Sequence, residues 1–335
     1  MLNIALLGCG RIGAMHAANI AAHPRAALAG VFDVVDAAAQ AAAMRHGGRI
    51  FDSVEAVLAD PSVDAVLIAT ATDTHADLIE AATAAGKPVL CEKPIDLSLD
   101  RVKACAAEIA GRGVPIQLGF NRRFDPGHRA LRDALAAGEI GDLHQLVITS
   151  RDPAMPPRAY YEAAGGLLRD MTIHDFDLAR FLLPEEPVEV FAMAGALADP
   201  ALMAEIGDHD SAMILLRTAS GVQCHINNAR VAVYGYDQRV EALGRTGMLQ
   251  SGNRRPHELL RYGAQGTETG APYEFFFTER YGAAFAAQID AFVDAIEAGR
   301  APEVGFDDGM RALALAEAAY LSLRDARTVR VDAVM

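Results

Sequence analysis

The chain opens with Leu2-Asn3-Ile4-Ala5-Leu6-Leu7-Gly8-Cys9-Gly10-Arg11-Ile12-Gly13, an apolar run of strand length followed by the pattern G-x-G-x-x-G. Residues 11–22 are rich in helix formers, and a second apolar run, residues 26–32, ends at Asp33, 20 residues after Gly13. In such a unit the first glycine allows a tight turn, the second lets the backbone approach a pyrophosphate, and the third lets helix and strand pack closely. The order of elements therefore predicts a dinucleotide-binding turn.

Asp33 indicates which dinucleotide is bound. A carboxylate at the end of the second strand accepts hydrogen bonds from a ribose 2′-hydroxyl and repels a 2′-phosphate, which favours NAD over NADP. A glycine turn without any ligand is the alternative, because G-x-G-x-x-G alone is a weak signal. The strand, helix, second strand and acid around it weigh against that alternative. The residues predicted to bind NAD here are Gly8, Gly10, Arg11, Ile12, Gly13 and Asp33.

Composition limits the classes of function. A length of 335 residues predicts two domains, at roughly 100–200 residues per domain. The net charge of −14 and pI near 5.1 argue against nucleic acid and anionic membranes as partners. No apolar stretch reaches the ~18 residues of a membrane span, and no basic region precedes the first apolar run, as a signal peptide would require. We therefore expect a cytoplasmic protein. Its four cysteines lack metal-type spacing and are expected to be buried apolar filler.

Strands and helices alternate over the first 120 residues. Helices are predicted at 36–44, at 54–59 after a Ser53 cap, at 73–85 and from Ser98 to about 111, with strands at 64–69, 88–91 and 115–120. This alternation is typical of a doubly wound parallel sheet, a Rossmann domain spanning residues 1–120. Ligands of such sheets lie at the carboxyl ends of the strands. The further residues predicted to bind the cofactor are Thr70, Thr72, His75, Glu92, Lys93 and Pro94.

The pattern changes after residue 120. A helix is predicted at 126–137, and strand-like runs follow at 143–151, 188–196, 212–217, 222–228 and 238–243 with few helical segments between them. Two amphipathic helices at 281–297 and 307–324 and a short strand at 328–331 complete the chain. Residues 121–335 are therefore predicted to form an α+β domain with a mostly antiparallel sheet.

Glu92-Lys93-Pro94 follows a predicted strand. Only three of the 30 lysine and arginine residues are lysines, namely Lys87, Lys93 and Lys103. A lysine kept at a strand's carboxyl end indicates a need for a compact ammonium whose pKa can be tuned. The alternative interpretation is a solvated surface lysine.

The segment Gly165-Gly166-Leu167-Leu168-Arg169-Asp170-Met171-Thr172-Ile173-His174-Asp175-Phe176-Asp177 predicts a helix that ends near Leu183. Asp170, His174 and Asp177 would then share one face. An acid one turn before a histidine can fix its tautomer and stabilise the imidazolium when the ring accepts a proton. A solvated salt-bridged face is one alternative. A zinc site is another, but no third soft ligand is evident, so no metal is predicted.

These motifs together resemble the Gfo/Idh/MocA oxidoreductase family over essentially the whole chain. Residues 119–125, 150–153, 169–175 and 225–239 are similar to its inositol 2-dehydrogenase branch. The resemblance implies an N-terminal Rossmann domain, a C-terminal domain with a large open sheet, and a homotetramer packed through those sheets.

The resemblance also implies Lys93, Asp170 and His174 as the catalytic residues. The residues expected to contact the substrate are Lys93, Asn121, Arg122, Asp152, Asp170, His174, Asp177 and Tyr236. Asn121 stands where some relatives have methionine, and Asp152 where some have asparagine, so the preferred polyol stays open.

The expected reaction is NAD-dependent oxidation of a cyclic polyol, myo-inositol to 2-keto-myo-inositol. The alternatives are scyllo-inositol, glucose or another sugar-derived polyol as substrate, an enzyme that retains and recycles NAD, and a non-catalytic NAD-binding sensor. The intact set of Lys93, Asp170 and His174 argues against the sensor.

Overall fold

The computed structural model describes residues 1–264 and 266–335, without the side chains of residues 162 and 163. The chain divides into two compact units. The first unit contains residues 1–121 and 285–313, and the second unit contains residues 122–284 and 314–335.

The first unit contains a six-stranded sheet in the order β3-β2-β1-β4-β5-β6, in which every neighbouring pair is parallel. This is the strand order of dinucleotide-binding doubly wound folds, and it confirms the predicted fold class. The strands are β1 Leu2–Leu7, β2 Ala26–Phe32, β3 Arg49–Ile50, β4 Ala65–Ile68, β5 Val89–Cys91 and β6 Ile116–Leu118. The helices between them are α1 Arg11–Ala22, α2 Asp36–His46, α3 Val54–Ala59, α4 His75–Ala84 and α5 Leu99–Ile109.

Local signals in the sequence set several of these elements. All four residues of β4 are buried, as expected when helices cover both faces of a parallel sheet. The Ser53 hydroxyl accepts a hydrogen bond from the backbone N–H of Ala56, and the Ser98 hydroxyl accepts one from Arg101. Both serines are therefore the N-caps that the sequence predicts. The four cysteines are free and buried, as predicted for small apolar side chains in a protein core.

The second unit contains a seven-stranded sheet in the order β12-β11-β7-β10-β9-β8-β15. Only β7 and β10 pair in parallel among these neighbours. The strands are β7 Leu143–Arg151, β8 Pro187–Gly195, β9 Ser211–Thr218, β10 Gln223–Ala229, β11 Asp237–Gly244, β12 Met248–Ser251 and β15 Val329–Arg330, with a separate hairpin of β13 Arg261–Gly263 and β14 Gly266–Thr269. The helices of the second unit are α6 Pro126–Ala136, α7 Arg158–Ala164, α8 Leu167–Asp170, α9 Thr172–Leu182, α10 Pro200–Ile206 and α11 Phe277–Arg280. Two more helices follow in the chain, α12 Gly282–Glu297 and α13 Phe306–Asp325. Most of α12 and the first part of α13 belong to the first unit, and the rest of α13 belongs to the second.

One face of this sheet is buried and the other is open. Along β9 the buried residues Ala212, Ile214 and Leu216 alternate with the exposed residues Met213 and Leu215. The mostly antiparallel open sheet is therefore confirmed. The sequence did not predict β3, β12, the β13–β14 hairpin, α7 or α10.

The division into units differs from the predicted single boundary after residue 120. Ile289, Phe292 and Val293 of α12 are fully buried in the core cluster of the first unit, together with Ile4 and Leu28. Residues 285–313 therefore group with the first unit, because the apolar face of α12 completes its core.

The single helix predicted after Gly166 is two helices, α8 and α9, which are separated at Met171. Gly166 precedes α8 with a φ of +88°, a conformation that favours glycine. The backbone N–H of Leu167 donates to both oxygens of Asp208, each at 3.1 Å. The Asp208 carboxylate therefore accepts the hydrogen bond of the first backbone N–H of α8. Helix α9 begins as a separate helix at Thr172.

No helix in the described ranges, 1–264 and 266–335, is long and apolar enough to cross a membrane.

Candidate active site

The glycine turn of the first unit has the geometry that its pattern predicts. Gly8 has a φ of +91°, and a Cβ there would lie 2.5 Å from the carbonyl oxygen of Ala69. A Cβ at Gly13 would lie 2.0 Å from the carbonyl oxygen of Gly8, whereas a Cβ at Gly10 would meet nothing within 4 Å. Gly10 also precedes α1 without a capping side chain. The turn is therefore tightly packed on one side and open on the side where helix N-termini bind phosphate.

The carboxylate of Asp33 joins the end of β2 to this turn. Its Oδ2 accepts a hydrogen bond from the Cys9 N–H at 2.6 Å, and its Oδ1 accepts one from the Val35 N–H at 2.8 Å. Each carboxylate oxygen can accept more than one hydrogen bond, so Asp33 retains capacity for a ribose hydroxyl. Burial and the charge of Asp33 raise the pKa of the Cys9 thiol to about 11, which keeps this neighbour neutral.

Side chains of the loop after β4 form hydrogen bonds within that loop. The hydroxyls of Thr70 and Thr74 lie 2.7 Å apart, and Thr72 begins a short 3₁₀ helix. His75 is buried, with Nδ1 2.7 Å from the carbonyl oxygen of Pro94 and Nε2 3.1 Å from that of Thr70. Burial lowers the pKa of His75. Its ring therefore links two loops at strand ends, and the contact of His75 with the cofactor stays a prediction.

The Glu92-Lys93-Pro94 turn follows β5 directly. Oε1 of the buried Glu92 lies 2.7 Å from Nε2 of His16, so this carboxylate is turned toward α1. Lys93 is half-buried. By contrast, Lys87 donates to two backbone carbonyls at 2.9 and 2.6 Å, which makes it a structural lysine.

In the second unit, the sheet register brings several predicted residues to one edge. Because β7 and β10 are parallel neighbours with Arg151 opposite Ala229, the next residues, Asp152 and Arg230, leave the sheet side by side. Arg230 Nη1 donates to Asp152 Oδ2 at 3.3 Å. In the antiparallel pair of β7 and β11, Asp237 lies opposite Arg151, so Tyr236 enters from the same edge.

Arg230 connects two carboxylates, and we call Asp152, Asp170 and Arg230 the carboxylate cluster. Arg230 Nη2 donates to Asp170 Oδ2 at 2.8 Å, and the Tyr160 hydroxyl donates to Asp170 Oδ1 at 2.7 Å. Burial opposes the charge of Arg230, but the nearby charges of Asp170 and Asp152 outweigh it and raise its pKa. Sequence reasoning missed both Arg230 and Tyr160. The signal for Arg230 is its position directly after β10, which has meaning only once β10 is known to run parallel to β7.

The pKa of Asp152 is raised within the cluster. Burial raises its pKa to about 6, and the charge of Asp170 adds to this effect while that of Arg230 opposes it. The carboxylate therefore changes charge in a range accessible to experiment.

His174 lies in the first turn of α9 and is half-buried. The Thr172 hydroxyl fixes the start of this helix on β10 by donating to Asn228 Oδ1 at 2.7 Å. Asp170 ends the preceding helix, so the predicted spacing between Asp170 and His174 crosses the break at Met171. The orientation of His174 by Asp170 stays a prediction.

Asp177 lies in α9 and pairs with Arg123. The residue is fully buried, and its two oxygens accept hydrogen bonds from Nε and Nη2 of Arg123 at 2.9 and 2.6 Å. A buried bidentate pair of this kind fixes structure. Asp177 therefore helps to hold α9 in place, and its contact with a substrate stays a prediction.

Arg122 is also buried, in contact with Asp175 and with the Ser150 hydroxyl at 3.2 Å. Burial opposes its charge, but the charge of Asp175 outweighs that effect and raises its pKa. Tyr236 is 6% exposed, and burial raises its pKa well above the usual value. Asn121 is buried at the end of a segment of the first unit.

Comparison with known families gives two matches. Residues 2–120 match the model of an oxidoreductase family with an NAD-binding Rossmann fold, and residues 128–250 match the model of the Gfo/Idh/MocA C-terminal domain.

Individual relatives match over nearly the full length. The inositol 2-dehydrogenase of Rhizobium meliloti is 46% identical over 326 residues, which cover 97% of this chain and 98% of that protein. The crystal structure of a myo-inositol dehydrogenase from Corynebacterium glutamicum is 44% identical, covers 98% of both chains and has a TM-score of 0.96. A scyllo-inositol dehydrogenase from Lactobacillus casei, solved with NAD(H) and scyllo-inositol, is 30% identical, covers 99% of both chains and has a TM-score of 0.90.

Proposed function

Because the chain belongs to the Gfo/Idh/MocA family of NAD-binding oxidoreductases, we propose that it oxidises a secondary alcohol of a cyclic polyol, converting myo-inositol to 2-keto-myo-inositol. The observation that carries this proposal is the carboxylate cluster of Asp152, Asp170 and Arg230 at the sheet edge where Tyr236 enters. Polar groups held in this way can pair with several hydroxyls at once, and such sites discriminate strongly against analogues that lack one.

The first unit fits NAD. Gly10 leaves open space beside the N-terminus of α1, and Asp33 presents a carboxylate at the end of β2. NAD, when bound, supplies the hydride acceptor. The backbone of Gly8 to Gly13 would hold its pyrophosphate, and Asp33 would accept a hydrogen bond from the ribose.

Three residues are proposed to handle the proton and the charge of the reacting alcohol. His174 accepts the hydroxyl proton, and Asp170 stabilises the resulting imidazolium. Lys93 donates to the oxygen as negative charge develops on it. Asp152, Arg122 and Tyr236 are the proposed residues for recognising the remaining hydroxyls.

We also propose that the protein is a cytoplasmic homotetramer in which a second copy covers the open sheet face. Exposed apolar side chains on that face support this, namely Met193, Met213 and Leu215, which are 65%, 56% and 52% exposed. Contiguous apolar surface of this kind marks interaction sites. Light scattering of the purified protein should give about four times 35.5 kDa, and replacement of Leu215 by aspartate should lower that mass.

The reaction is tested with a panel of substrates followed at 340 nm. The panel contains myo-inositol, scyllo-inositol and glucose, each with NAD and with NADP. NADH should form fastest with myo-inositol, and NADP should be a poor substitute because Asp33 repels its 2′-phosphate. A higher kcat/KM for scyllo-inositol would support the second candidate, which the relative solved with scyllo-inositol favours. Binding of NADH without turnover of any polyol would support the sensor.

A further inference from the structure

His16 forms a buried contact that the proposed reaction does not yet use. It lies in α1, one turn after the glycine pattern, and is fully buried. Its Nε2 lies 2.7 Å from Oε1 of Glu92, a residue 76 positions further along the chain. The contact therefore joins the helix that begins at the glycine turn to the residue that precedes Lys93.

The surroundings leave the Glu92 carboxylate little freedom. A Cβ at Gly119 would lie 2.6 Å from Oε2 of Glu92, so the carboxylate packs directly against backbone. The ring of Phe285 packs edge-on against His16, with 5.7 Å between ring centroids. A buried carboxylate is costly unless it accepts hydrogen bonds, and His16 is the donor placed to satisfy it.

The tautomer of His16 follows from its contacts. Within residues 1–264 and 266–335, its Nδ1 is buried without a hydrogen-bond partner. The proton of a neutral ring therefore belongs on Nε2, where it is donated to the carboxylate. A side chain that lacks a donor at this position would leave Glu92 buried and without this hydrogen bond.

The other side of Lys93 is anchored as well. The carbonyl oxygen of Pro94 lies 2.7 Å from Nδ1 of His75, which is buried. Lys93 thus lies between two residues, each of which contacts a buried imidazole. This arrangement restricts the backbone from which the lysine extends.

We propose that His16 is a positioning residue: through its hydrogen bond to Glu92, it fixes the turn that presents Lys93. The proposal rests on the proposed function, in which Lys93 stabilises the developing alkoxide. Positioning errors of this kind reduce turnover more than binding.

The test compares two amides at position 16. Glutamine places its amide nitrogen near the position of Nε2 and can donate to Glu92, whereas asparagine is too short. His16→Asn should lower kcat for myo-inositol by at least 10-fold, with the KM and the NADH dissociation constant within about threefold of wild type. The pH profile of kcat should shift as well, because the Glu92 carboxylate next to Lys93 is no longer held in one position. His16→Gln should restore kcat to within about threefold.

His23 supplies a matched control. It follows the C-terminus of α1, and its Nε2 lies 2.7 Å from Oδ1 of Asp290. His23→Asn removes a hydrogen bond of equal length in the same unit and should leave kcat and its pH profile unchanged. If His16→Asn does not fold, His16→Leu, which fills the space without a donor, takes its place.

Three outcomes would each overturn the positioning role: wild-type kcat in His16→Asn, an equal loss of kcat in His23→Asn, or no rescue in His16→Gln. In each of these cases an active wild-type protein would still support the proposed reaction. An inactive wild type that still binds NADH would overturn the reaction and the positioning role together. The chain has no tryptophan, so the fluorescence of bound NADH can be measured without that background.

Discussion

The glycine turn of the first unit and the carboxylate cluster of the second are built in opposite ways. The turn uses backbone groups from one continuous stretch. Asp33, whose carboxylate accepts a hydrogen bond from the Cys9 N–H, is only 24 residues from Cys9. The cluster uses side chains that are 78 and 60 residues apart, in the pairs of Arg230 with Asp152 and with Asp170. A backbone site depends on local conformation, whereas a side-chain site depends on which strands become neighbours. Substitutions should therefore affect the two sites differently.

The largest effect should come from Lys93, which belongs to the first unit but is proposed to act on the substrate. Lys93→Arg keeps the charge but loses the compact, tunable ammonium. We expect kcat to fall by about 10³-fold or more, the scale of an electrostatic contact to a developing oxyanion. The NADH dissociation constant should stay near that of wild type. Lys103→Arg, in α5, is the control, and near-wild-type turnover in Lys93→Arg would show that the reaction does not depend on the compact ammonium of Lys93.

His174→Ala should lower kcat by about 10²–10⁴-fold, the usual contribution of a general base. Asp170→Asn should be similarly harmful, because an amide can favour the wrong tautomer and cannot stabilise the imidazolium. The two losses should not multiply in the double variant, since both break one unit. The limb of the pH profile on the acid side, where the base is protonated, should change.

His46→Ala, at the end of α2, is the control for the histidine substitution. Simple multiplication of the His174 and Asp170 defects would show that the two residues act separately. Full activity in His174→Ala would move the proton-accepting role elsewhere, with Lys93 the first candidate.

Arg230→Lys tests the cluster itself. Lysine keeps the charge but loses the planar fork that contacts both carboxylates. Loss of a hydrogen bond to a charged group costs about 1.5–3 kcal/mol, so kcat/KM should fall about 10- to 100-fold at pH 7. Since Arg230 lowers the pKa of Asp152, the acid limb of kcat/KM that reports Asp152, as distinct from the limb that reports His174, should move upward from about pH 6. Arg330→Lys, which alters an exposed pair with Asp332, should move neither quantity.

The smallest effect concerns stability at Asp152. The folded-state pKa of Asp152, about 6, lies above the usual value of 3.8. Ionisation of this carboxylate therefore lowers the free energy of unfolding. The loss is absent below the pKa of the unfolded chain and complete above about pH 6. Asp152→Asn should therefore stabilise the protein by about 1–2 kcal/mol at pH 8. Denaturation at pH 8 and pH 3 measures this, and the gain should disappear at the lower pH, which lies below the usual pKa of 3.8. A gain equal at both pH values would contradict a raised pKa.

Most of residues 1–121 in the first unit was predictable because the signals there are local, whereas the inclusion of residues 285–313 was not. Gly8, Gly13, Ser53 and Ser98 each specify a conformation within a few residues, and the alternation of strands and helices specifies the sheet. The cluster was only partly predictable. Asp152 and Asp170 were expected from family motifs, but Arg230 pairs with them only because β10 runs parallel to β7. The strand-like runs of the sequence predict antiparallel neighbours, and nothing in them indicates that β7 and β10 form a parallel pair.

Two other predicted site residues show what local spacing does not specify. The spacing of Asp170 and Asp177 predicts one shared face, but the helix restarts at Thr172 and Arg123 pairs with Asp177 inside the unit. His75 follows a strand end, as cofactor contacts do, yet its ring contacts two backbone carbonyls. In both cases the contacts of the side chain depend on residues outside its own helix.

The most direct test of the proposed reaction uses myo-inositol that carries deuterium at C2. After incubation of the wild-type enzyme with this substrate and NAD, nuclear magnetic resonance measures the isotope at C4 of the nicotinamide. We predict one deuterium in each NADH formed, together with 2-keto-myo-inositol. NADH that carries only protium at this position, or no NADH at all, would contradict hydride transfer from C2 of myo-inositol.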